Sequence, residues 1–206
     1  MKTVIFFMLI LTAANVGMGE AAPSPEAAVT VRTFNYAGVP FGQLAAAKLE
    51  AEHIFRTAGI SIEWIDCRVP GGNDGPACTE PLLPGRDLML RLVDRTPAKG
   101  ERIVTLGESM LDREQRGGVL MTVDLFPVRS VAGRASTSIS TLLGRAVAHE
   151  IGHLLLGSAE HPRLGLMRAL WSHDELRGLK PAHWGFSARE AARMRQTLRG
   201  KSGIAD

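Results

Sequence analysis

The sequence has little net charge and no long apolar run beyond its first residues, and each of these two shortages excludes a class of protein. It also has only two cysteines. Its 206 residues carry 24 lysines and arginines against 21 aspartates and glutamates, a formal net charge of +3. The arginines near the C-terminus are typical of a solvated helix face, and no nucleic-acid-binding motif accompanies them, so no nucleic-acid partner is expected. Beyond the N-terminus no segment is apolar enough to cross a bilayer. An ordinary globular protein without internal repeats remains.

The N-terminus has the parts of a secretory signal peptide. Lys2 precedes an apolar run over residues 4–14, and small residues follow up to Ala22. The run is short for a membrane span, so removal of residues 1–22 is expected, with a retained N-terminal anchor as the alternative. Residues 23–206 are long enough for one domain with its own core. The mature protein is therefore predicted to be a secreted or periplasmic monomer without a stable membrane span.

The two cysteines are predicted to form a disulfide. Cys67 and Cys78 enclose a loop rich in glycine and proline. An exported protein meets an oxidising environment, and closing such a loop contributes on the order of 3 kcal/mol in the chain-entropy model. Zinc binding by the two thiolates is the weaker alternative, because their spacing is not that of paired-cysteine zinc sites.

The most informative stretch is His149-Glu150-Ile151-Gly152-His153. Two histidines four residues apart project from nearly the same face of a helix, because four residues advance about 400°. Both imidazoles can then bind one Zn²⁺, whereas the glutamate beside the first stays outside the ligand set and close enough to act as a base. Apolar residues recur at helical spacing over residues 138–148, so the motif is predicted to lie on a helix. Gly157 is expected to end that helix.

Together with Gly157, His161 and Met167, the motif resembles that of the metzincin clan of zinc peptidases, HExxHxxGxxH followed by a methionine turn. The spacing differs by one extra residue on each side of the glycine: Gly157 lies four residues after His153, and His161 lies eight residues after it. The resemblance covers about residues 141–171. The alternative interpretation is a zinc site that serves only structure or binding, in a protein without catalytic activity.

The resemblance implies a role for each of these residues. Three histidines would bind the zinc: His149, His153 and His161. Glu150 would be the base, and Met167 would form a hydrophobic floor beneath the metal, with an ordinary core methionine as the alternative. The single tyrosine, Tyr36, lies far upstream, so no tyrosine is assigned to the site.

Other residues could supply the third ligand. A catalytic zinc site usually has three protein ligands and a water, so two histidines need a further donor. In gluzincin-like peptidases that donor is a glutamate on a later helix, which Glu175 would match. His173 and His183 are further candidates, and His161 could be an ordinary histidine of a surface loop. The positions of Gly157 and Met167 favour His161.

The order of elements predicts an α/β domain. Strand-like alternation and helical periodicity follow one another from the start of the mature chain, and such β-α-β order implies a mainly parallel, twisted sheet. The predicted strands are residues 29–34, 60–65, 87–93, 103–106 and 118–126, and the predicted helices are 41–57, the motif helix and 187–199. The metzincin resemblance implies a twisted mixed sheet, two long helices, a zinc-binding helix and a small helical C-terminal subdomain after residue 157. It also places an extended substrate along an edge strand in the 103–110 region.

These observations predict a function. The protein is expected to be a secreted zinc-dependent endopeptidase that hydrolyses peptide bonds in peptides or proteins with a zinc-activated water and Glu150 as the base. The alternatives are a non-catalytic secreted zinc-binding or interaction protein and a gluzincin-like peptidase that uses Glu175. Glu150 favours an enzyme, because a purely structural zinc site has no use for a base and normally has four protein ligands.

Overall fold

The computed structural model describes residues 27–67, 75–83, 85–97, 105–112, 117–180 and 183–200. The predicted leader, part of the loop between the cysteines and the first half of the predicted strand 103–106 lie outside these ranges. Among the helices of the described ranges, none is long and apolar enough to span a bilayer.

Five strands form one mixed sheet. They are β1 (Ala27–Asn35), β2 (Ile60–Cys67), β3 (Asp87–Val93), β4 (Gly107–Asp112) and β5 (Gly117–Asp124). Their order across the sheet is β2-β1-β3-β5-β4, in which the first four are parallel and β4 runs antiparallel to β5. A helix connects β1 to β2, as a parallel pair requires. The predicted α/β fold with a mixed sheet is confirmed.

The helices cover the sheet and carry the C-terminal part of the chain. The two long ones, α1 (Phe41–Thr57) and α4 (Ile139–Leu156), pack against each other; α1 also contacts β2, and α4 contacts β4 and β5. The described part of the chain also contains four shorter helices: α2 (Pro76–Thr79), α3 (Leu125–Ala135), α5 (His173–Leu176) and α6 (Ala188–Gly200). Alternate residues of the central strands, such as Leu88, Leu90 and Leu92, are buried in the core beneath these helices.

The predicted strand 118–126 extends two residues too far, into helix α3. β5 ends at Asp124, whose side chain accepts a hydrogen bond from the Phe126 N–H at 3.1 Å and so caps α3. This helix was not predicted, because its apolar residues continue directly from the buried strand. Capping by the aspartate, rather than a break in hydrophobicity, ends the strand.

The predicted strand 103–106 was wrong for its described part. Residues 105 and 106 precede β4, which begins at Gly107. In β4 the half-buried residues alternate with exposed ones, since one face of this edge strand packs on α4 and the other faces solvent. The predicted edge region 103–110 therefore includes the first four residues of the observed edge strand.

The predicted disulfide between Cys67 and Cys78 is present. Beside it, the buried guanidinium of Arg32 donates to the Glu80 carbonyl at 2.5 Å and to the Asp87 carboxylate at 3.0 Å. The disulfide thus ties α2 to β2, and the charged hydrogen-bond cluster ties residue 80 and β3 to β1.

α1 and α4 approach each other almost to backbone contact at Gly144. A Cβ atom at this position would lie 2.4 Å from the Ala47 carbonyl oxygen and 2.7 Å from the Glu50 Cβ. Neither backbone nor Cβ atoms can move aside as the end of a side chain can. The glycine therefore sets the distance between the two helices, and with it the position of the motif helix.

We expect Gly144→Ala to lower the free energy of unfolding by about 1–3 kcal/mol, because the added methyl group forces α1 and α4 apart. The matched control is Gly133→Ala in α3, where a Cβ meets nothing within 4 Å. That change should be neutral or stabilise by up to about 1 kcal/mol. Urea denaturation of both variants measures the difference, and equal stabilities would contradict this account of the helix contact.

Candidate metal centre

The motif lies on α4, as predicted, and α4 is almost wholly buried. The helix begins after Ser138, whose hydroxyl caps the Thr141 N–H, and it ends at Gly157 with φ of 59°, a left-handed conformation that glycine adopts without strain. His149, Glu150 and His153 are each less than a tenth exposed. Buried polar side chains need partners, and each of these three has one.

Three histidines converge at this helix. The Nε2 atoms of His149 and His153 lie 3.0 Å apart, and the Nε2 of His161 lies 3.3 Å from the first and 3.2 Å from the second. Across the described ranges these three form the one group of His, Cys, Asp or Glu side chains with the geometry to hold a metal ion. The structure therefore brings together all three predicted ligands.

Backbone carbonyls fix which ring nitrogen is free. The His149 Nδ1–H donates to the Leu166 carbonyl at 3.0 Å, and the His153 Nδ1–H donates to the Ser158 carbonyl at 2.7 Å. A neutral imidazole has one N–H, so both Nε2 atoms present lone pairs to the centre of the cluster. Such outer hydrogen bonds are what orient histidine ligands in metal sites.

The donor set fits a zinc ion. Nitrogens bound to tetrahedral zinc at about 2.0–2.1 Å lie roughly 3.3 Å from one another, close to the observed Nε2 separations. Two of the three rings donate their Nδ1 protons to carbonyls, so their Nε2 lone pairs face and repel one another. A cation at the centre of the cluster would accept the lone pairs of all three Nε2 atoms. Three imidazoles without a thiolate or a fourth protein donor are typical of a catalytic rather than a structural zinc site.

Burial shifts the pKa values of these groups. It lowers the pKa of His149 to about 4, opposed by the hydrogen bond to Leu166, and it also lowers the pKa of His153. Both imidazoles are thus neutral at neutral pH, the form that binds metals. Burial raises the pKa of Glu150 to about 7, opposed by a hydrogen bond from Ser109 and reinforced by the negative charge of Glu108.

Glu150 faces the edge strand rather than the histidines. Its Oε2 accepts a hydrogen bond from the Ser109 hydroxyl at 2.6 Å. Gly107, two residues earlier on the same face of β4, leaves room for the carboxylate: a Cβ there would lie 2.9 Å from the Glu150 Cγ. The carboxylate is therefore held between α4 and β4, beside the cluster and outside it.

The longer span between His153 and His161 still closes the cluster. After Gly157 reverses the chain, Ser158 lies over the end of α4, where its N–H donates to the His153 carbonyl at 3.3 Å and its carbonyl accepts from the His153 ring. One extra residue lies in the last turn of α4, before Gly157, and the other lies between Gly157 and His161. His161, which is exposed, then returns to the buried pair.

The alternative third ligands lie elsewhere. Glu175 accepts a hydrogen bond from Arg168 and caps α5 together with Ser172, and these donors lower its pKa to about 2. His173 and His183 are exposed and are not members of the three-histidine group. The carboxylate that a gluzincin-like site would use is thus committed to an ion pair.

Met167 is fully buried beneath α4. A Cβ at Gly152 would lie 2.6 Å from the Met167 Sδ and 2.9 Å from the Phe186 Cε1. The glycine inside the motif therefore allows the thioether and an aromatic ring to pack directly against the helix, one residue before His153. Met167 thus packs against the motif helix, and its role beneath a metal ion stays a prediction.

A cleft of ≈ 530 Å³ opens above the histidines. β4 forms one side, α4 the floor, and the chain around residues 168–171 the other side. Its walls are mainly apolar, with contributions from Leu111, Val131, Ala146, Trp171 and Leu176. A ligand in this cleft would lie against the imidazoles and the Glu150 carboxylate at the same time.

Several residues of the site had no signal in the sequence. Leu166 and Ser158 contribute their backbone carbonyls, and since every residue has one, the residue type does not predict this contact. Trp171 lies with its ring centre 5.8 Å from that of His149, and its N–H shares the Leu166 carbonyl at 3.3 Å. Ser109 reaches Glu150 across 41 positions of sequence. Only the approach of β4 and the 158–171 segment to α4 reveals them.

Comparisons with known proteins show the fold. No family model matches the sequence, and no curated protein matches it. Among solved structures, the archaemetzincin from Methanopyrus kandleri is similar with a TM-score of 0.51 at 14% identity, over 86% of this chain and 99% of that one. A zinc-dependent peptidase from Methanocorpusculum labreanum is similar with a TM-score of 0.51 at 15% identity, over 80% and 99% of the two chains. This chain therefore has the α/β fold of these structures.

We expect His161→Ala to weaken zinc binding at least a hundredfold, because it removes a donor from the cluster, and even changes to outer-shell partners cost 10–100-fold. His173→Ala, which removes an exposed histidine outside the cluster, is the control and should leave the affinity unchanged. Competition with a chromophoric chelator measures both values. Equal affinities of His161→Ala and the unchanged protein would exclude His161 as a ligand.

Proposed function

We propose that the protein is an exported zinc-dependent endopeptidase. The observation that carries this proposal is the convergence of three imidazole nitrogens next to a buried carboxylate, at the floor of a cleft bordered by an edge strand. Each part has a use in peptide hydrolysis, and their combination has none in a purely structural site. The similar structure from Methanocorpusculum labreanum is a zinc-dependent peptidase, which supports the zinc-peptidase part of this proposal.

His149, His153 and His161 would hold the zinc. When bound, zinc supplies Lewis-acid chemistry, which lowers the pKa of a water and polarises a carbonyl. The chain itself supplies the orientation: two buried rings are fixed by the Leu166 and Ser158 carbonyls, so little entropy is lost when the ligand set assembles. Met167 supports the floor of the site by packing and contributes no donor.

Glu150 would be the general base and the later proton donor. Its carboxylate takes the proton from the attacking water and returns it to the amine of the leaving peptide, so the side chain ends each turnover as it began. Its position outside the histidine cluster keeps both oxygens free of the ligand set. Burial in a wall of low polarity strengthens the electrostatic interactions that this proton transfer uses.

The edge strand would hold the substrate. The Asp124 N–H donates to the Leu106 carbonyl at 2.9 Å, so Leu106 and Asp124 form a hydrogen-bonded pair at the start of the antiparallel β4–β5 ladder. By alternation, the backbone N–H and C=O groups of Gly107 and Ser109 point away from β5 toward the outer edge of the sheet. An extended peptide could pair with them as an added strand.

The length of β4 favours an endopeptidase. Ser109, which touches Glu150, has neighbours in the strand on both sides, from Gly107 to Asp112. A substrate chain paired along this strand would therefore continue in both directions from the bond that faces the base. The apolar walls of the cleft, such as Val131 and Leu176, favour apolar side chains near that bond.

The compartment belongs to the proposal as well. The N-terminal sequence has the features of a signal peptide, and the Cys67–Cys78 disulfide is stable in oxidising compartments. Both support action outside the cytosol, and we propose that the protein acts there as a monomer on peptides or proteins.

A non-catalytic zinc-binding role is the competing function, and Glu150 separates the two. We expect Glu150→Gln to lower kcat/KM for peptide cleavage by about 10²–10⁴-fold at unchanged zinc content, because the amide cannot accept the proton. Glu160→Gln is the matched control, since Glu160 is an exposed glutamate one residue before a proposed ligand and the substitution is the same. It should leave the rate within about twofold of the unchanged protein.

The measurement is cleavage of a mixed peptide library by the zinc-loaded proteins, read by mass spectrometry, with zinc quantified in each. Cleavage by Glu150→Gln at the unchanged rate would remove Glu150 as the base. No cleavage by any variant, with one zinc bound per chain, would favour the non-catalytic role.

A further inference from the structure

Ser109 makes an unusual contact for a residue of an edge strand. Its hydroxyl oxygen lies 2.6 Å from the Glu150 Oε2 and 2.9 Å from the Glu150 backbone carbonyl. A hydroxyl has one hydrogen to donate, and the carboxylate is the stronger acceptor. Within the described ranges, Ser109 is the only hydrogen-bond partner of that carboxylate.

Gly107 completes the contact from the same face of the strand. A Cβ at this position would lie 2.9 Å from the Glu150 Cγ and 3.0 Å from its Oε1. The strand thus passes so close to the glutamate that one residue binds an oxygen and the other makes room for the rest of the side chain. We call Gly107 and Ser109 the carboxylate cradle.

We propose that Ser109 is a positioning residue, whose hydroxyl holds the Glu150 carboxylate in the orientation that proton transfer requires. This inference rests on the proposed function. A glutamate side chain has three rotatable bonds, and a proton is transferred only within hydrogen-bond reach of the reacting group. With Oε2 fixed by Ser109, Oε1 lies against Gly107 in the wall of the cleft, so the carboxylate is held in a single orientation.

The strand position of Ser109 gives this contact a second consequence. The backbone of the same residue points to the outer edge of the sheet, where an added substrate strand would pair. One residue therefore relates the register of the substrate to the position of the base. A serine elsewhere in the cleft could bind the carboxylate without setting this relation.

The first test compares the steady-state kinetics of zinc-loaded Ser109→Ala, Ser109→Thr and unchanged protein. We expect Ser109→Ala to lower kcat about tenfold, with KM within about twofold and full zinc content, because misplacing a catalytic group affects the chemical step. Ser109→Thr retains the hydroxyl and should restore most of kcat. Ser61→Ala, a serine of the opposite edge strand β2, is the control and should match the unchanged protein.

An unchanged kcat in Ser109→Ala would overturn the proposal. So would a loss that the threonine variant fails to restore, or one that accompanies lost zinc or a raised KM alone, since these outcomes assign Ser109 to structure or to substrate binding.

A second test does not depend on turnover. Thermal unfolding of the zinc-loaded protein gives the midpoint shift caused by Ser109→Ala, first with Glu150 present and then in a Glu150→Ala background. A contact between the two side chains predicts a smaller shift in the second case, because the bond is already lost. Equal shifts would overturn the contact itself. If no variant cleaves peptides but the shifts differ, the contact stands, whereas the proposed function and the positioning role both fail.

Discussion

The hydrogen bonds from His149 and His153 to backbone carbonyls are the interactions on which the site depends. They commit the Nδ1 protons of both rings, so the two Nε2 lone pairs meet at one point with His161. The carbonyls belong to Leu166 and Ser158, which lie on the segment that follows α4 and folds back over it. The ligand geometry is therefore a property of the packing around the helix, and the motif alone would leave both rings free to turn.

The rest of the fold keeps that packing in place. Gly144 brings α1 close to one side of α4, and Gly152 allows the thioether of Met167 to pack against another. β4 lies along a third side, where Gly107 and Ser109 meet the Glu150 carboxylate. Three glycines thus stand at close approaches between the helix and other parts of the chain. Larger side chains at these positions would displace the three histidines or Glu150 without changing any of these residues.

Local patterns in the sequence predicted the parts of the structure that depend on neighbouring residues. The bounds of α1 and β3, the motif helix and its end at Gly157 follow from periodicity and from the backbone preference of glycine. The sequence could not fix the start of β4, because an edge strand has only one buried face and a weak apolar signal. Nor could it reveal α3, since the Asp124 cap lies within a continuous apolar run. Ser109 remained hidden for another reason: its partner is distant in sequence, and a serine in a polar strand has many ordinary uses.

X-ray absorption at the zinc edge, on protein loaded with one equivalent of the metal, tests the central claim most directly. The account predicts three imidazole nitrogens at about 2.0–2.1 Å, with the remaining coordination by light atoms from solvent and no sulfur. The imidazole contribution should fall to two in His161→Ala. A spectrum with two imidazoles in the unchanged protein, or with a carboxylate in place of the third, would contradict the three-histidine site.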